Sequence, residues 1–371
     1  MPHMTHHLHT AYALELREIY VSKAIRSFAL SMIGIFVPIY LLQLNYSLSA
    51  VIGFYAIIAA THAIMTVPAA RIAAKWGFKH TIILSTPFFV IFYLMLYSLD
   101  TMRWPLWSIA VIWGIKNALF WLGYHVHFTL VAHSKQEGRE IGFARIVGLG
   151  MSVLGPVIGG LILTFFGFKS LVMIAMIILA ISGIPYLLTK DPHESVNYSI
   201  SRIFKMDPRN ALGFIGKGME SGIGGVIWPI FVFFAIVQTY TNMGIITSLS
   251  LVFGVLFTFV IGRFSDIYRR IVLRIGGFVN AIIWGVRIVI TTTFHVAIVD
   301  SLYGASQTLI YIPFTALSYD KSRANIVEGI MRREIMLNIS RAATLAILIP
   351  VTNLLGTFIM GSGASLMLIA F

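Results

Sequence analysis

The stretch GIFVPIY at residues 34–40 recurs in altered form as GVIWPIF at residues 225–231. Both copies place a proline four residues after a glycine, within a long apolar run. A shift of about 191 residues relates the two copies, and the same shift places Lys217 opposite Arg26. Matches that keep one order along the chain indicate an internal repeat, so we predict a protein built from two similar halves.

Weaker matches elsewhere follow the same order. They pair Gly53 with Gly244, Asn117 with Gln307, Trp121 with Tyr311, Arg139-Glu140-Ile141 with Arg333-Glu334-Ile335, and Pro156 with Pro350. We expect an even number of membrane spans in each half. The repeats would then be parallel and related by an axis along the membrane normal.

The composition indicates a lipid environment. Hydrophobic residues make up 58% and charged residues 11% of the chain, whereas soluble domains carry roughly 25% charged residues. A membrane span needs about 20 apolar residues, and the sequence holds about eleven such stretches and a shorter one at the end. Cysteine is absent, which excludes disulfides and Cys-ligated metal sites. We expect no cofactor and no metal site.

The net charge of +13 does not indicate nucleic-acid binding, because the basic residues lie in loops between apolar stretches. Every second loop holds most of the Lys and Arg, and cytoplasmic loops are enriched in these residues. We therefore predict a cytoplasmic N-terminus, a cytoplasmic linker at 189–210, and halves at 1–188 and 211–371, in a bacterial-type cytoplasmic membrane. The second half is predicted to end in a span at Glu334–Met360 and a truncated twelfth span from Gly361.

The loop after the eighth predicted span holds the best local motif, GRFSDIYRR at residues 262–270. It resembles the Gly-x-x-x-Asp-Arg-x-Gly-Arg-Arg loop of the major facilitator superfamily, although the second glycine is missing. The resemblance implies an all-α fold of two parallel six-helix bundles. It also implies that four of these residues belong to a cytoplasmic gate, namely Gly262, Asp266, Arg269 and Arg270.

The first half carries a changed copy of this loop at residues 70–80. It keeps Gly77 and Lys79 but has Ala74 where the family has an acid, so we expect one side of the gate to lack its usual charge contact. Span five contains GPVIGG, beginning at Gly155-Pro156. This stretch is similar to the glycine–proline motif of the family's antiporters and is also typical of a close-packed, kinked helix.

Ionisable side chains inside spans are costly and are functional candidates. We expect Glu220 to be a coupling residue, although it can also simply pair with Lys217. We assign the two Arg-Glu pairs, Arg139-Glu140 and Arg333-Glu334, to the gate. The candidates for a substrate cavity are Arg26, His62, Lys116, Asn117, Trp121, Tyr124, His125, Trp228, Arg287, Gln307 and Tyr311. Helical spacing places the span-four members Asn117, Trp121, Tyr124 and His125 on one face.

The resemblance implies a monomeric transporter that moves a small solute by alternating access between its halves. The candidate residues include more bases than acids, which favours an anionic or zwitterionic solute. The sequence leaves both proton coupling and facilitated diffusion open. A lipid translocase or multidrug exporter of the same fold is one alternative, and a non-transporting receptor or assembly factor is another. No clustered nucleophile, acid or metal ligands indicate an enzyme.

Overall fold

The structure is a computed structural model. It describes the backbone of residues 2–131, 137–188, 191, 198–351 and 353–371, and the side chains within these ranges except those of residues 2–13, 137–139, 262, 263 and 266. Almost all of the described chain is helical, and no strand occurs in these ranges. The prediction of an all-α protein is confirmed.

The described residues before 205 form nine helices. They are α1 Pro2–Ile33, α2 Val37–Gln43, α3 Leu48–Trp76, α4 Phe78–Tyr97, α5 Leu99–Met102, α6 Leu106–Val131, α7 Glu137–Ser152, α8 Gly155–Ile181 and α9 Ile200–Phe204, with a 3₁₀ turn at Ile184–Leu187. Gly167 divides α8 into two segments, because its φ of 77° lies in the left-handed region that favours glycine.

Seven helices follow. They are α10 Pro208–Gly222, α11 Trp228–Phe231, α12 Tyr240–Ile267, α13 Arg269–Val286, α14 Thr293–Asp320, α15 Ile326–Leu348 and α16 Leu355–Met367. Two π-helical turns, Ile223–Ile227 and Val232–Val237, flank α11, and 3₁₀ turns follow at Arg287–Val289 and Leu368–Ala370. Wide turns of this kind occur at bulges within helices, often at functional positions.

The predicted span Glu334–Met360 is wrong in its boundaries. The helix begins at Ile326, where the side chain of Asn325 accepts a hydrogen bond from the backbone N–H of Glu328, and it ends at Leu348. A second helix, α16, then begins at Leu355 rather than near Gly361. Pro350 cannot continue a helical hydrogen-bond ladder, and Asn353 accepts a hydrogen bond from Leu355 N at 3.0 Å. Both residues favour a break between the helices.

Helix packing follows an equivalent pattern on each side of the linker. Before the linker, α1 packs on α7 and α8, α6 packs on α3 and α4, and α4 packs on α8. After it, α10 packs on α15 and α16, α14 packs on α12 and α13, and α13 packs on α16. The two groups of helices meet along α3 with α15, and along α7 and α8 with α12.

Eight segments of the described chain are long and apolar enough to cross a membrane. One of them, Glu140–Leu187, contains the break at Gly167. Large apolar side chains such as Phe165, Phe166 and Val289 are more than 70% exposed. Exposure on this scale suits a surface that faces lipid rather than water. The chain is an integral membrane protein.

Candidate functional site: a charged cavity between the two groups of helices

A cavity of about 230 Å³ lies where α3 and α6 face α10, α14 and α15. Its walls combine aromatic rings with charged groups. They are formed by His62, Trp121, His125, Lys217, Ser221, Tyr311, Phe314, Thr315, Arg333, Glu334, Leu337, Asn338 and Arg341. Six of the sequence-predicted residues therefore converge here. They are the cavity candidates His62, Trp121, His125 and Tyr311 and the predicted gate residues Arg333 and Glu334.

Glu334 is the acid of this cavity, and it lies between groups from both sides. Its carboxylate pairs with Arg333, its Oε2 lies 3.3 Å from Nε2 of His62, and its Oε1 lies 3.6 Å from Nε2 of His125. His125 Nδ1 in turn lies 2.5 Å from the hydroxyl of Tyr319 on α14. One buried carboxylate thus joins α3 and α6 to α15.

The position of Glu334 follows from the true start of its helix. Because α15 begins at Ile326, Glu334 lies more than two turns inside it, at 3.6 residues per turn. The structure therefore places Arg333 and Glu334 at the central cavity. Arg139 cannot be compared with them, because its side chain lies outside the described residues, and Glu140 is partly buried at the start of α7.

Arg341 contributes a cation with neutral partners. Its Nε and Nη2 donate to Ser221 Oγ at 3.2 and 3.0 Å, and its Nη1 donates to Asn338 Oδ1 at 3.0 Å. Among the described residues, no carboxylate forms an ion pair with it. Lys217 differs, because its Nζ lies 2.8 Å from Glu220 Oε2. Arg341 is therefore the cavity base that remains available to a ligand.

Glu220, the predicted coupling residue, is fully buried on α10. Besides Lys217, its carboxylate accepts hydrogen bonds from Tyr303 at 2.7 Å and from Gln307 Nε2 at 2.8 Å. Gln307 also accepts a hydrogen bond from Lys217 at 2.9 Å. These partners all lie after the linker, so Glu220 forms part of a network within that group of helices.

A second buried network surrounds Arg287. Its Nη2 lies 2.8 Å from Asp300 Oδ1, and its guanidinium Cζ lies 4.0 Å from the ring centre of Trp228 and 4.3 Å from that of Trp284. Trp228 Nε1 donates to the same carboxylate at 2.8 Å. Trp228 and Arg287 are therefore brought together with each other but do not line the central cavity.

The remaining cavity candidates lie before the linker, on α1 and α6. Tyr124 accepts a hydrogen bond from Lys23 Nζ at 2.8 Å, and Asn117 is partly buried on α6. Arg26 and Lys116 are buried against aromatic rings. None of Asn117, Arg26 and Lys116 belongs to the cavity wall, so the predicted common face of α6 is divided between two environments.

The loop at 70–80, which is predicted to belong to the gate, obtains a carboxylate from the linker. Asp191 accepts hydrogen bonds from Lys79 N at 3.0 Å and from His80 N at 2.9 Å, at the start of α4. A side chain at Gly77 would collide with Asp191, and Gly77 has a φ of 95°. The Lys79 ammonium lies 3.0 Å from Glu18. The acid missing at Ala74 is thus replaced from a distant part of the chain.

In the second gate loop, Arg269 forms an ion pair with Asp320 at the end of α14, and Arg270 is exposed. Gly262 and Asp266, which are also predicted gate residues, have surroundings that lie outside the described part of the structure. The linker also reaches α15, because Ser199 N and Arg202 Nε donate to Glu328 Oε2 at 3.1 and 3.0 Å. The described linker residues therefore contact both groups of helices at one end of the molecule.

The glycine–proline stretch serves close helix packing. A Cβ at Gly159 would lie 2.0 Å from the carbonyl oxygen of Met32 on α1, and one at Gly160 would lie 2.6 Å from that of Tyr240 on α12. Gly155 and Pro156 begin α8 directly after the bend that follows Ser152. These contacts fit the reading as a close-packed kinked helix, since small residues let helix backbones approach.

Sequence reasoning missed several polar members of these networks. Asp300 was overlooked, although it lies a few residues inside the span predicted at Val296–Leu317, where a charge is itself a signal of function. Ser221, Asn338 and Tyr303 carry no such signal, because uncharged polar residues are common in membrane helices. Only their positions beside Arg341 and Glu220 identify them.

Comparison with known proteins agrees with this architecture. The family model of the Major Facilitator Superfamily matches residues 19–204, half of the chain. The protein belongs to this superfamily of transporters, as its loop motif predicted.

Solved structures of two transporters are similar over nearly their whole length. A variant of the Escherichia coli fucose:proton symporter FucP has 14% identity and a TM-score of 0.70, and the match covers 96% of this chain and 97% of that one. The human organic anion transporter MFSD10 (TETRAN) has 11% identity and a TM-score of 0.70, with 96% and 98% covered. No curated protein matches the sequence significantly. At these identities the likeness concerns the fold.

Proposed function

We propose that the protein carries a small organic anion across the membrane by alternating access, with the central cavity as its binding site. The observation that carries this proposal is the charge of the cavity wall. Lys217 is matched by Glu220 and Arg333 by Glu334, whereas Arg341 has only neutral partners. A guanidinium in a poorly hydrated site binds a carboxylate or phosphate group through paired N–H donors.

The rest of the wall suits an anion with an apolar part. Trp121 stacks on the His125 ring with centres 5.3 Å apart, and Tyr311 and Phe314 face the same space. Pockets of this kind bury a ligand against apolar surface and orient it with a few polar groups. The human structural relative is named as an organic anion transporter, which makes this class of solute a reasonable first choice.

Glu334 is the proposed link between solute binding and movement. Its contacts with His62 and His125 connect helices from the two sides of the cavity, and its partner Arg333 lines the same space. An anion that binds Arg333 and Arg341 would compete with the Glu334 carboxylate for Arg333. Binding would then weaken the contact between the halves, which is the differential interaction that a population shift requires.

The architecture proposed for this motion consists of two parallel six-helix halves, 1–188 and 211–371, joined by the linker. The equivalent helix pairings on each side of the linker support it. The proposal also assigns the N-terminus and the linker to the cytoplasm. Its support is that cytoplasmic loops are enriched in Lys and Arg and that the basic loop at 70–80 contacts Asp191 of the linker.

Uptake into proteoliposomes tests the solute class. Radiolabelled aromatic and aliphatic carboxylates should accumulate or equilibrate faster than organic cations of matched size, and Arg341→Gln should abolish the difference. Arg274→Gln is the control, because Arg274 is exposed near the start of α13 and does not belong to the cavity wall. Transport of cations alone, or full anion transport by Arg341→Gln, would refute the proposal.

A cross-link tests alternating access, and the absence of native cysteine makes it free of background. Thr164 on α8 and Thr241 on α12 lie on opposite sides of the interface, with hydroxyl oxygens 3.1 Å apart. Oxidation of Thr164→Cys/Thr241→Cys should stop transport, and reduction should restore it. In the control, Thr258→Cys/Thr308→Cys, both positions lie after the linker, with hydroxyl oxygens 3.4 Å apart. Undiminished transport by the cross-linked Thr164/Thr241 pair would exclude rocking of the halves.

A further inference from the structure

Two basic side chains in the interior of the first half have no acidic partner. Arg26 on α1 is 5% exposed and Lys116 on α6 is 3% exposed. Neither forms a hydrogen bond or ion pair with any residue that the structure describes. Their charged groups instead lie against rings: Arg26 Cζ is 3.4 Å from the ring centre of Phe120, and Lys116 Nζ is 5.2 Å from that of Trp113.

The two charges share an aromatic neighbour. Arg26 Cζ lies 4.1 Å from the ring centre of Phe89, and Lys116 Nζ lies 3.8 Å from the same centre. One ring on α4 therefore contacts both cations. The ionisable groups around Arg26 include the phenols of Tyr93 and Tyr186, which are uncharged near neutral pH.

This arrangement is electrostatically incomplete. An aromatic face attracts a cation, but that attraction is smaller than the cost of removing an isolated ion from water. Two like charges beside one ring also repel each other, and the repulsion is strong where little water is present to screen it. Charges buried in membrane proteins normally pair with other charges or mark a pathway for an ion or a substrate.

We propose that Arg26 and Lys116 form a binding site for a small inorganic anion such as chloride inside the first half. The site is separate from the central cavity, because neither residue belongs to its wall. The rings of Phe89, Phe120 and Trp113 surround the two cations. This crowding favours a free ion over a group carried by an organic solute. The bound anion supplies the negative charge that the protein lacks between α1, α4 and α6.

Thermal unfolding of the full-length purified protein tests the site. Chloride added to a gluconate buffer of constant ionic strength should raise the melting temperature by about 2–4 °C, since a ligand stabilises the state that binds it. Lys116→Met should lose this shift. Lys169→Met should keep it, because Lys169 is exposed and pairs with Asp100 at 2.8 Å. Absence of a chloride shift in the wild type, or an equal shift in Lys116→Met, would overturn the proposal.

Fluorescence gives a second readout that does not depend on Lys116→Met folding. Iodide bound beside Lys116 should quench Trp113 in a saturable manner, and chloride should compete for it. The saturable component should vanish in Trp113→Phe. Quenching that stays linear with iodide would overturn the site. Competition by transported organic anions but not by chloride would overturn the assignment to an inorganic ion.

Discussion

The helices before and after the linker differ in how most of their buried bases are compensated. After the linker, Lys217 lies against Glu220, Arg287 against Asp300, and Arg333 against Glu334. Arg341 in the same group of helices has only neutral partners. Before the linker, Lys79 pairs with Glu18, whereas Arg26 and Lys116 lie against rings. A similar helix packing can therefore hold either neutralised pairs or a surplus of positive charge. The proposed bound anion would neutralise this surplus.

The largest expected effect comes from opening one of the neutralised pairs. Asp300→Asn would leave Arg287, which is fully buried, without its carboxylate. Loss of one partner of a buried ion pair costs about 3–5 kcal/mol. We expect the melting temperature in detergent to fall accordingly, while the double variant Arg287→Met/Asp300→Asn recovers much of the loss. A stable single variant would show that Arg287 does not depend on Asp300.

The second expected effect concerns transport. Glu334→Gln removes the charge that joins Arg333 to His62 and His125. A change in coupling of 1–3 kcal/mol corresponds to about a 5- to 150-fold change in an equilibrium between states. We expect anion uptake to fall by about tenfold or more, measured in proteoliposomes with the protein still folded.

Glu220→Gln is the matched comparison for this change. Glu220 is equally buried, but its partners lie within one half. We expect Glu220→Gln to lower the melting temperature more than Glu334→Gln does. It should lower the uptake rate per folded molecule less than Glu334→Gln does. If Glu220→Gln instead lowered uptake more than Glu334→Gln, Glu220 would be the coupling residue.

A third effect concerns the predicted gate loop at 70–80. Asp191→Asn keeps the size of the side chain but weakens its hydrogen bonds to Lys79 N and His80 N. Loss of a helix N-cap costs about 0.5–2 kcal/mol. The unfolding free energy should fall within this range, and proteolysis within the linker should accelerate. Unchanged stability and proteolysis would show that the linker acid does not hold the first loop.

The smallest effect is expected at an exposed ion pair. Asp100 and Lys169 lie 2.8 Å apart and are both at least one-third exposed. Exposed pairs contribute about 0–1 kcal/mol. We therefore expect Asp100→Asn to shift the melting temperature by no more than about 2 °C and to leave uptake unchanged. A shift as large as that of Asp191→Asn would remove the distinction between buried and exposed carboxylates.

Some of the site was predictable from local sequence. His62 was identified as a polar residue inside an apolar span, Trp121 and His125 by helical spacing on one face, and Tyr311 by its repeat match with Trp121. The structure places all four at the central cavity. The role of Glu334 was harder to predict. Its place at a predicted helix start suggested a gate, whereas the Asn325 cap moves that start to Ile326 and brings the carboxylate to the cavity.

The sequence by itself determined that this is a helical membrane protein of the Major Facilitator Superfamily. The length of its apolar runs and the loop at 262–270 are local properties, which can be read without knowing which helices meet. Only the tertiary structure decided which charges are compensated. Asp191 reaches the loop at Gly77, Glu334 reaches His62 and His125, and Arg26 and Lys116 meet only rings. The energy of a buried charge depends on groups distant in sequence, so it is settled by packing.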